Sequence, residues 1–385
     1  MRSCGKWALL RKYSFAPYQV AFDLPKTGID SQLRPQTCKP FAPFRRSTIV
    51  DVEGTTLVFQ ILSLSGGGFL GLYTASVLAE IEEHTGRPHA DSFDLIAGTS
   101  VGGIIGLGLS AGRSATEIKQ AFLDEGDKIF SPKRPASNVL SMGARILSGL
   151  PKSRYNPAPL RRIIERIVGA ETRMSDLRRP TVVPAVNLTK GGPKIFKTGH
   201  HPRFIIDWQL KVVDIALATS AAPTYFPIHQ IGAEMFADGG MFANSPDLIA
   251  LHEAETFLDV KRADVRVLSV GTTTTAFAFS ASAGRTLGSY GWMKNERLPS
   301  VMIGSQQALT DDMMRHVIGD RYVRIDRAQP PDQQAELALD CASPIAKRDL
   351  QSAAASSIAD VSSNQMLRNM LDHCAPEFTF TNATL

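Results

Sequence analysis

The stretch "IAGTSVGG", Ile96–Gly103, decides how the chain is read. Gly98-Thr99-Ser100-Val101-Gly102 satisfies G-x-S-x-G. It lies between a short apolar run, "FDLIAG", and a small-residue run, "VGGIIGLGLSAG", which predict a buried strand and a helix packed closely on a sheet. A serine on so sharp a strand-to-helix turn projects above the sheet edge, at a helix N-terminus that favours developing negative charge. The flanking positions, Gly98 and Gly102, must then lack side chains. Ser100 is the candidate nucleophile.

Working outward, "TLVFQILSLS" predicts a buried strand and "LYTASVLAEIEEHTG" a helix ending at Gly86. Between them lies "SGGGFLG". Gly66 to Gly71 matches G-x-G-x-x-G, so a dinucleotide-binding turn is one reading. That reading needs an acidic residue at the end of the next strand to hold a ribose. Asp91 and Asp94 have the spacing but stand before or at the start of that strand, which ends in Gly98 instead. The other reading is a set of bare amides for an oxyanion, supplied by Gly66, Gly67 and Gly68.

A serine hydroxyl needs a base. His200 and His201, in "KTGHHP", are the histidine pair that a triad would draw on, whereas His252 falls on a predicted helix surface. Asp238, in "FADGGMFANSP", ends an apolar strand and is followed by Gly239 and Gly240. It can approach a hydroxyl directly, and partial burial would bring its proton affinity nearer to the working pH. An ordinary Asp-Gly turn is the plainer alternative for the same residues.

Farther along, "TVVPAVNL", "KIFKTG", "EMFADGG", "VRVLSVGT" and "RYVRID" predict strands. "VVDIALATSAAPTYFP", "SPDLIALHEAETFL" and "PSVMIGSQQALTDDMMRHVIG" predict helices. Strands alternating with helices predict a three-layer α/β/α fold around a mostly parallel central sheet. The expected organisation is an irregular arm over 1–50, a catalytic domain over 51–275 and a C-terminal extension, 276–385, packed on the same domain.

The 385 residues have an ordinary globular composition, 43% hydrophobic and 21% charged, with a net charge of +5. The basic surplus is local. Residues 113–179 hold 14 Lys/Arg against 7 Asp/Glu, within a cap-like segment over 113–180. Such a segment suits an anionic phospholipid or nucleotide, or is simply a solvated face. Cys4, Cys38, Cys341 and Cys374 form no C-x-x-C pair, which argues against a disulfide framework or zinc site and fits a reducing cytosol. Leu95–Gly112 carries no charge, but its six glycines suit a strand, turn and helix better than a bilayer span.

G-G-G-x-x-G, G-x-S-x-G and D-G-G, in that order and joined by "SAAPTYFP" (Ser220–Pro227), resemble the patatin-like phospholipase family over about residues 58 to 275. The resemblance implies a Ser100–Asp238 dyad without histidine, oxyanion amides from Gly66, Gly67 and Gly68, and Gly71, Gly98, Gly102, Gly239 and Gly240 as motif glycines. It implies hydrolysis of membrane phospholipid acyl esters through an acyl-serine, with no metal or cofactor. Leu70 departs from the pattern, where the family usually has Arg or Lys.

The early strand and glycine loop, and the C-terminal part through "GSYGWMKN", "YVRID" and the last helix, are similar to a narrower group, the bacterial patatin-like (CapV-type) effectors of cyclic-oligonucleotide anti-phage systems (CBASS). That likeness implies a cytoplasmic lipase acting at the inner membrane face and switched on by a cyclic dinucleotide. It implies no DNA or RNA polymer as partner and leaves a homo-oligomer open. Arg134, Lys152, Arg285 and Lys294 are the candidate nucleotide-binding cations. A dinucleotide-dependent oxidoreductase and an inactive lipid- or nucleotide-binding module are the alternatives from other classes.

Overall fold

The computed structural model describes residues 58–131, 153–273, 286, 288, 291–292, 297–330, 332–334 and 336–380. The expected 1–50 arm, the inner part of the basic segment and most of the loop after Thr273 lie outside these residues.

The strands are β1 (Phe59–Leu64), β2 (Leu95–Gly98), β3 (Thr181–Asn187), β4 (Gly192–Lys197), β5 (His229–Ile231), β6 (Glu234–Asp238), β7 (Val265–Val270) and β8 (Tyr322–Ile325). The helices are α1 (Gly71–Thr85), α2 (His89–Ser92), α3 (Val101–Ser110), α4 (Ala115–Ile129), α5 (Pro157–Val168), α6 (Val212–Thr219), α7 (Gly240–Ala243), α8 (Asp247–Phe257), α9 (Arg297–Ile318), α10 (Pro344–Val361) and α11 (Gln365–Leu371). Among the described residues one sheet runs β5-β6-β3-β2-β1-β7-β8, with β4 also on β3. The central run from β3 to β8 is parallel, and β4, β5 and β6 join antiparallel.

Alternation along the strands builds the layers. Leu62, Leu64, Ile96, Val183, Leu268 and Val270 face one core, with α1, α3, α4, α6 and α10. Their neighbours Ile61, Leu95, Ala97, Val182, Val265 and Val267 face a second core with α8 and the C-terminal half of α9. A strand buried on both faces needs no polar alternation, and in "FQILSL" even Gln60 and Ser63 are buried. These are the expected three layers. β8 extends the parallel sheet beside β7, and α10 packs on α1, so both share the main core.

Register places the site. Leu64 is level with both Gly98 and Val270, so β1, β2 and β7 end together at one sheet edge. In open α/β sheets the loops at this carboxyl edge carry the ligand chemistry. The β2–β3 register, continued three residues past Ala97↔Val182, brings Ser100 level with Ala185, which itself pairs with Asp238.

One element departs from the sequence pattern. The helix in "VVDIALATSAAPTYFP", expected to be stopped by proline, ends earlier, at Thr219. Tertiary bonds take over there: Gly239 N–H donates to the Thr219 carbonyl (3.2 Å) and Asp238 N–H to the Ala221 carbonyl (3.1 Å).

Candidate active site

Ser100 caps α3 with φ 54° and ψ −124°, a backbone state that costs a non-glycine residue about 1–3 kcal/mol. Surrounding bonds hold it there. Its N–H donates to Thr219 Oγ1 (2.9 Å), whose hydroxyl donates to the Pro184 carbonyl (2.6 Å). Thr99 donates from its N–H to the Leu64 carbonyl (3.1 Å) and from Oγ1 to the Ala243 carbonyl (2.7 Å). A Cβ on Gly98 would overlap the Gly102 carbonyl, and one on Gly102 would overlap the carbonyls of Leu64 and Ser65. The elbow therefore closes only with glycine at both flanks. Gly71 and Gly239 are equally tight, against Val101 and the Pro184 carbonyl.

Ser100 Oγ donates to Asp238 Oδ2 at 2.7 Å, and Gly240 N–H donates to Oδ1 at 2.7 Å. Asp238 is buried while Ser100 is partly exposed. Burial pushes the Asp238 carboxyl up from 3.8 to about 6, against the lowering effect of the Ser100 and Gly240 hydrogen bonds. A carboxylate tuned in this way is a competent base near neutral pH.

The glycine turn differs from expectation at one position. Gly66 N–H is not free for an oxyanion, because it donates to the Asn244 carbonyl (2.9 Å). The Gly66 carbonyl accepts from Thr272 Oγ1 (2.9 Å) and Asn244 Nδ2 (3.2 Å). Gly66 is thus the anchor of the turn. Gly67 and Gly68 are partly exposed, and their N–H groups have no acceptor among the described residues. Gly68 has φ +57°, and a Cβ there would run into the Leu339 carbonyl, which already accepts from Phe69 N–H (2.8 Å). Leu70, where a cation was expected, is buried in the core and fixes the far end of the turn by packing.

No histidine reaches the dyad. His200 is buried with Nδ1 on Thr198 Oγ1 (2.7 Å) and Nε2 on Glu253 Oε1 (2.9 Å). His201 packs against Phe204 and Phe257, and His252 bonds Thr256 on the surface of α8. Arg134, Lys152, Arg285 and Lys294 lie outside the described residues. Among the described residues no group of three or more His, Cys, Asp or Glu is placed to hold a metal ion, and no helix is long and apolar enough to cross a membrane. Thr219, Asn244, Thr272 and Leu339 were not singled out by the sequence. Only Asn244, within "DGGMFANSP", lies in a motif that could have pointed to it.

An elbow serine, a carboxylate on its hydroxyl and a glycine turn with open amides, gathered at one sheet edge, are the arrangement that serine hydrolysis requires. The profile of the patatin-like phospholipase family matches residues 62–251. A "cGAMP-activated phospholipase" of Pseudomonas aeruginosa is 42% identical over 281 residues, 72% of this chain and 81% of that protein. One of the same name from Escherichia coli is 38% identical over 347 residues, 84% and 95% of the two chains. A third, from Vibrio cholerae, is 39% identical over 306 residues, 74% and 86%. The chain belongs to the patatin-like phospholipase family and is an enzyme of the phospholipase class. The oxidoreductase reading of the glycine turn falls with this assignment.

Proposed function

We propose that the chain hydrolyses acyl esters of membrane phospholipid through the Ser100–Asp238 dyad. The observation that carries this is the 2.7 Å bond from Ser100 Oγ to a buried carboxylate, made at a strained elbow beside two open amides.

Asp238 accepts the Ser100 proton as Oγ attacks the ester carbonyl carbon. The oxyanion that forms is received by the N–H groups of Gly67 and Gly68. Collapse breaks the bond to the leaving alcohol, which takes the proton from Asp238 and departs as lysophospholipid. Water then attacks the acyl-serine with Asp238 again as base, releasing fatty acid and restoring Ser100. The strained Ser100 backbone keeps Oγ on the attack side throughout.

A cyclic dinucleotide, cyclic GMP–AMP, is the proposed activator. The names of the three bacterial relatives support this, and so does the local basic surplus over 113–179. Arg134, Lys152, Arg285 and Lys294 remain the cations proposed to meet its phosphates, and anti-phage defence is the proposed setting.

The test is hydrolysis of a fluorogenic phospholipid in vesicles by wild type and Ser100→Ala, with and without cyclic GMP–AMP. Activity in wild type with the dinucleotide, and none in Ser100→Ala, is expected. Equal rates in the two proteins would overturn the dyad. Vesicle binding without hydrolysis in either protein would make the chain an inactive lipid-binding module.

A further inference from the structure

The amide of Gly67 is useful only if its peptide plane has one orientation, and that orientation is imposed from outside the turn. A trans peptide is planar, with C=O and N–H pointing in opposite directions. The plane shared by Gly66 and Gly67 is gripped by its oxygen, where Thr272 Oγ1 donates at 2.9 Å and Asn244 Nδ2 at 3.2 Å. The Gly67 N–H must therefore point away from both donors, and it meets no acceptor among the described residues. Glycine at 67 leaves this plane little intrinsic preference, so the grip decides.

The Thr272 hydroxyl is itself held in place. Thr272 is buried and follows β7, whose end is level with β1. The carbonyl of Gly271 accepts from Thr74 Oγ1 (2.7 Å) and its N–H donates to the Ile325 carbonyl (2.8 Å). On the other side, Thr273 N–H donates to Asp326 Oδ1 (3.1 Å), and Gln329 Nε2 donates to Thr273 Oγ1 (2.9 Å). Thr273 has φ 69°, a left-handed state that a threonine adopts only under such constraint. The Thr272 side chain lies directly against Gly67, where a Cβ would overlap it.

We propose that Thr272 is a positioning residue for ester hydrolysis: its hydroxyl fixes the Gly66–Gly67 peptide so that the Gly67 N–H faces the oxyanion. This rests on the proposed hydrolase reading and adds to it a residue that never touches substrate. Losing the hydroxyl leaves the carbonyl satisfied by Asn244 alone, so the plane can swing while the fold persists. Removing an oxyanion donor outright costs about 10²–10³ in kcat, so a misaimed donor should cost about 10–100-fold.

The experiment compares wild type, Thr272→Val, Thr272→Ser and Ser100→Ala on a fluorogenic phospholipid with cyclic GMP–AMP present. Inhibition by an acyl trifluoromethyl ketone is measured alongside. Ser100 Oγ adds to the ketone carbon, its proton passes to Asp238, and the ketone oxygen becomes the bound oxyanion. Thr272→Val should lower kcat about 10–100-fold with KM within about threefold, and weaken the ketone by the same factor. Thr272→Ser should restore both to within about threefold. A merely structural role would lower the melting temperature without moving ketone affinity in step with kcat. If Thr272→Val shows no cooperative unfolding transition, Thr272→Ala takes its place with the same expectation. Wild-type kcat and ketone affinity in the valine variant, beside a dead Ser100→Ala, would overturn the positioning role alone. An active Ser100→Ala would overturn the hydrolase reading beneath it.

Discussion

Two of the carboxylate clusters buried among the described residues, around Glu253 and around Asp238, are finished in opposite ways. Around Glu253, Lys197 Nζ sits on Oε2 (2.5 Å) and His200 Nε2 on Oε1 (2.9 Å). Lys197 also lies over the rings of Phe204 and Phe257. Both oxygens have a basic partner, the histidine is held below its ordinary range by burial, and the cluster ties the β4 end to α8. Asp238 has only a hydroxyl and an amide as donors and, among the described residues, no cation. Its burial is under-compensated, which is what leaves it hungry for a proton. A fully paired cluster gives order; an under-paired one gives chemistry.

The largest effect that can break this contrast is on turnover. Ser100→Ala and Asp238→Asn should each lower phospholipid hydrolysis at least about 10³-fold. His200→Gln should leave kcat of the folded protein within about threefold. A collapse of turnover in His200→Gln, with folding intact, would return the histidine to the mechanism.

Next is the stability of the paired cluster. Glu253→Gln leaves the Lys197 charge buried without its counter-ion and should cost about 3 kcal/mol in denaturant unfolding. A loss below about 1 kcal/mol would mean that the cation–π contacts alone hold Lys197.

The opposite sign is expected at the dyad. The carboxyl pKa of Asp238 is higher in the folded state, so its ionisation opposes folding. The penalty is absent below pH 3.8, grows as pH rises, and is complete above about 6. At 1.36 kcal/mol per pH unit, the rise amounts to about 3 kcal/mol. Asp238→Asn should therefore unfold at higher denaturant than wild type at pH 8, with the advantage vanishing near pH 4. An advantage independent of pH would mean that burial does not tune this carboxylate.

What was legible in the sequence was what is local. Gly98 and Gly102 are forced by an elbow two residues long, whereas Asp238, a strand end followed by two glycines, reads by itself as an Asp-Gly turn as readily as a base. The three layers follow from doubly apolar strands alternating with helices. What was not legible depends on contacts far apart in the chain. Gly66 looks like its neighbours until Asn244 takes its N–H, 178 residues away. Thr272 closes the predicted strand "VRVLSVGT" with nothing local to mark its role, Leu339 sits in a stretch with no pattern, and only the level ends of β1 and β7 bring Thr272 to the turn. Leu70 read as a missing cation. In the structure it is a core residue of the 3-10 turn Gly68–Leu70 that leads into α1, and burial explains it better than chemistry does.

The central claim is that Asp238, with no histidine, is the base that activates Ser100. The pH dependence of kcat/KM on a fluorogenic phospholipid, in wild type and in His200→Gln, tests it most directly. Activity needs ionised Asp238, so it should rise with pH along a single limb centred near 6, and the limb should be the same in both proteins. A profile flat between pH 5 and 7, or a limb that disappears with His200, would contradict the account.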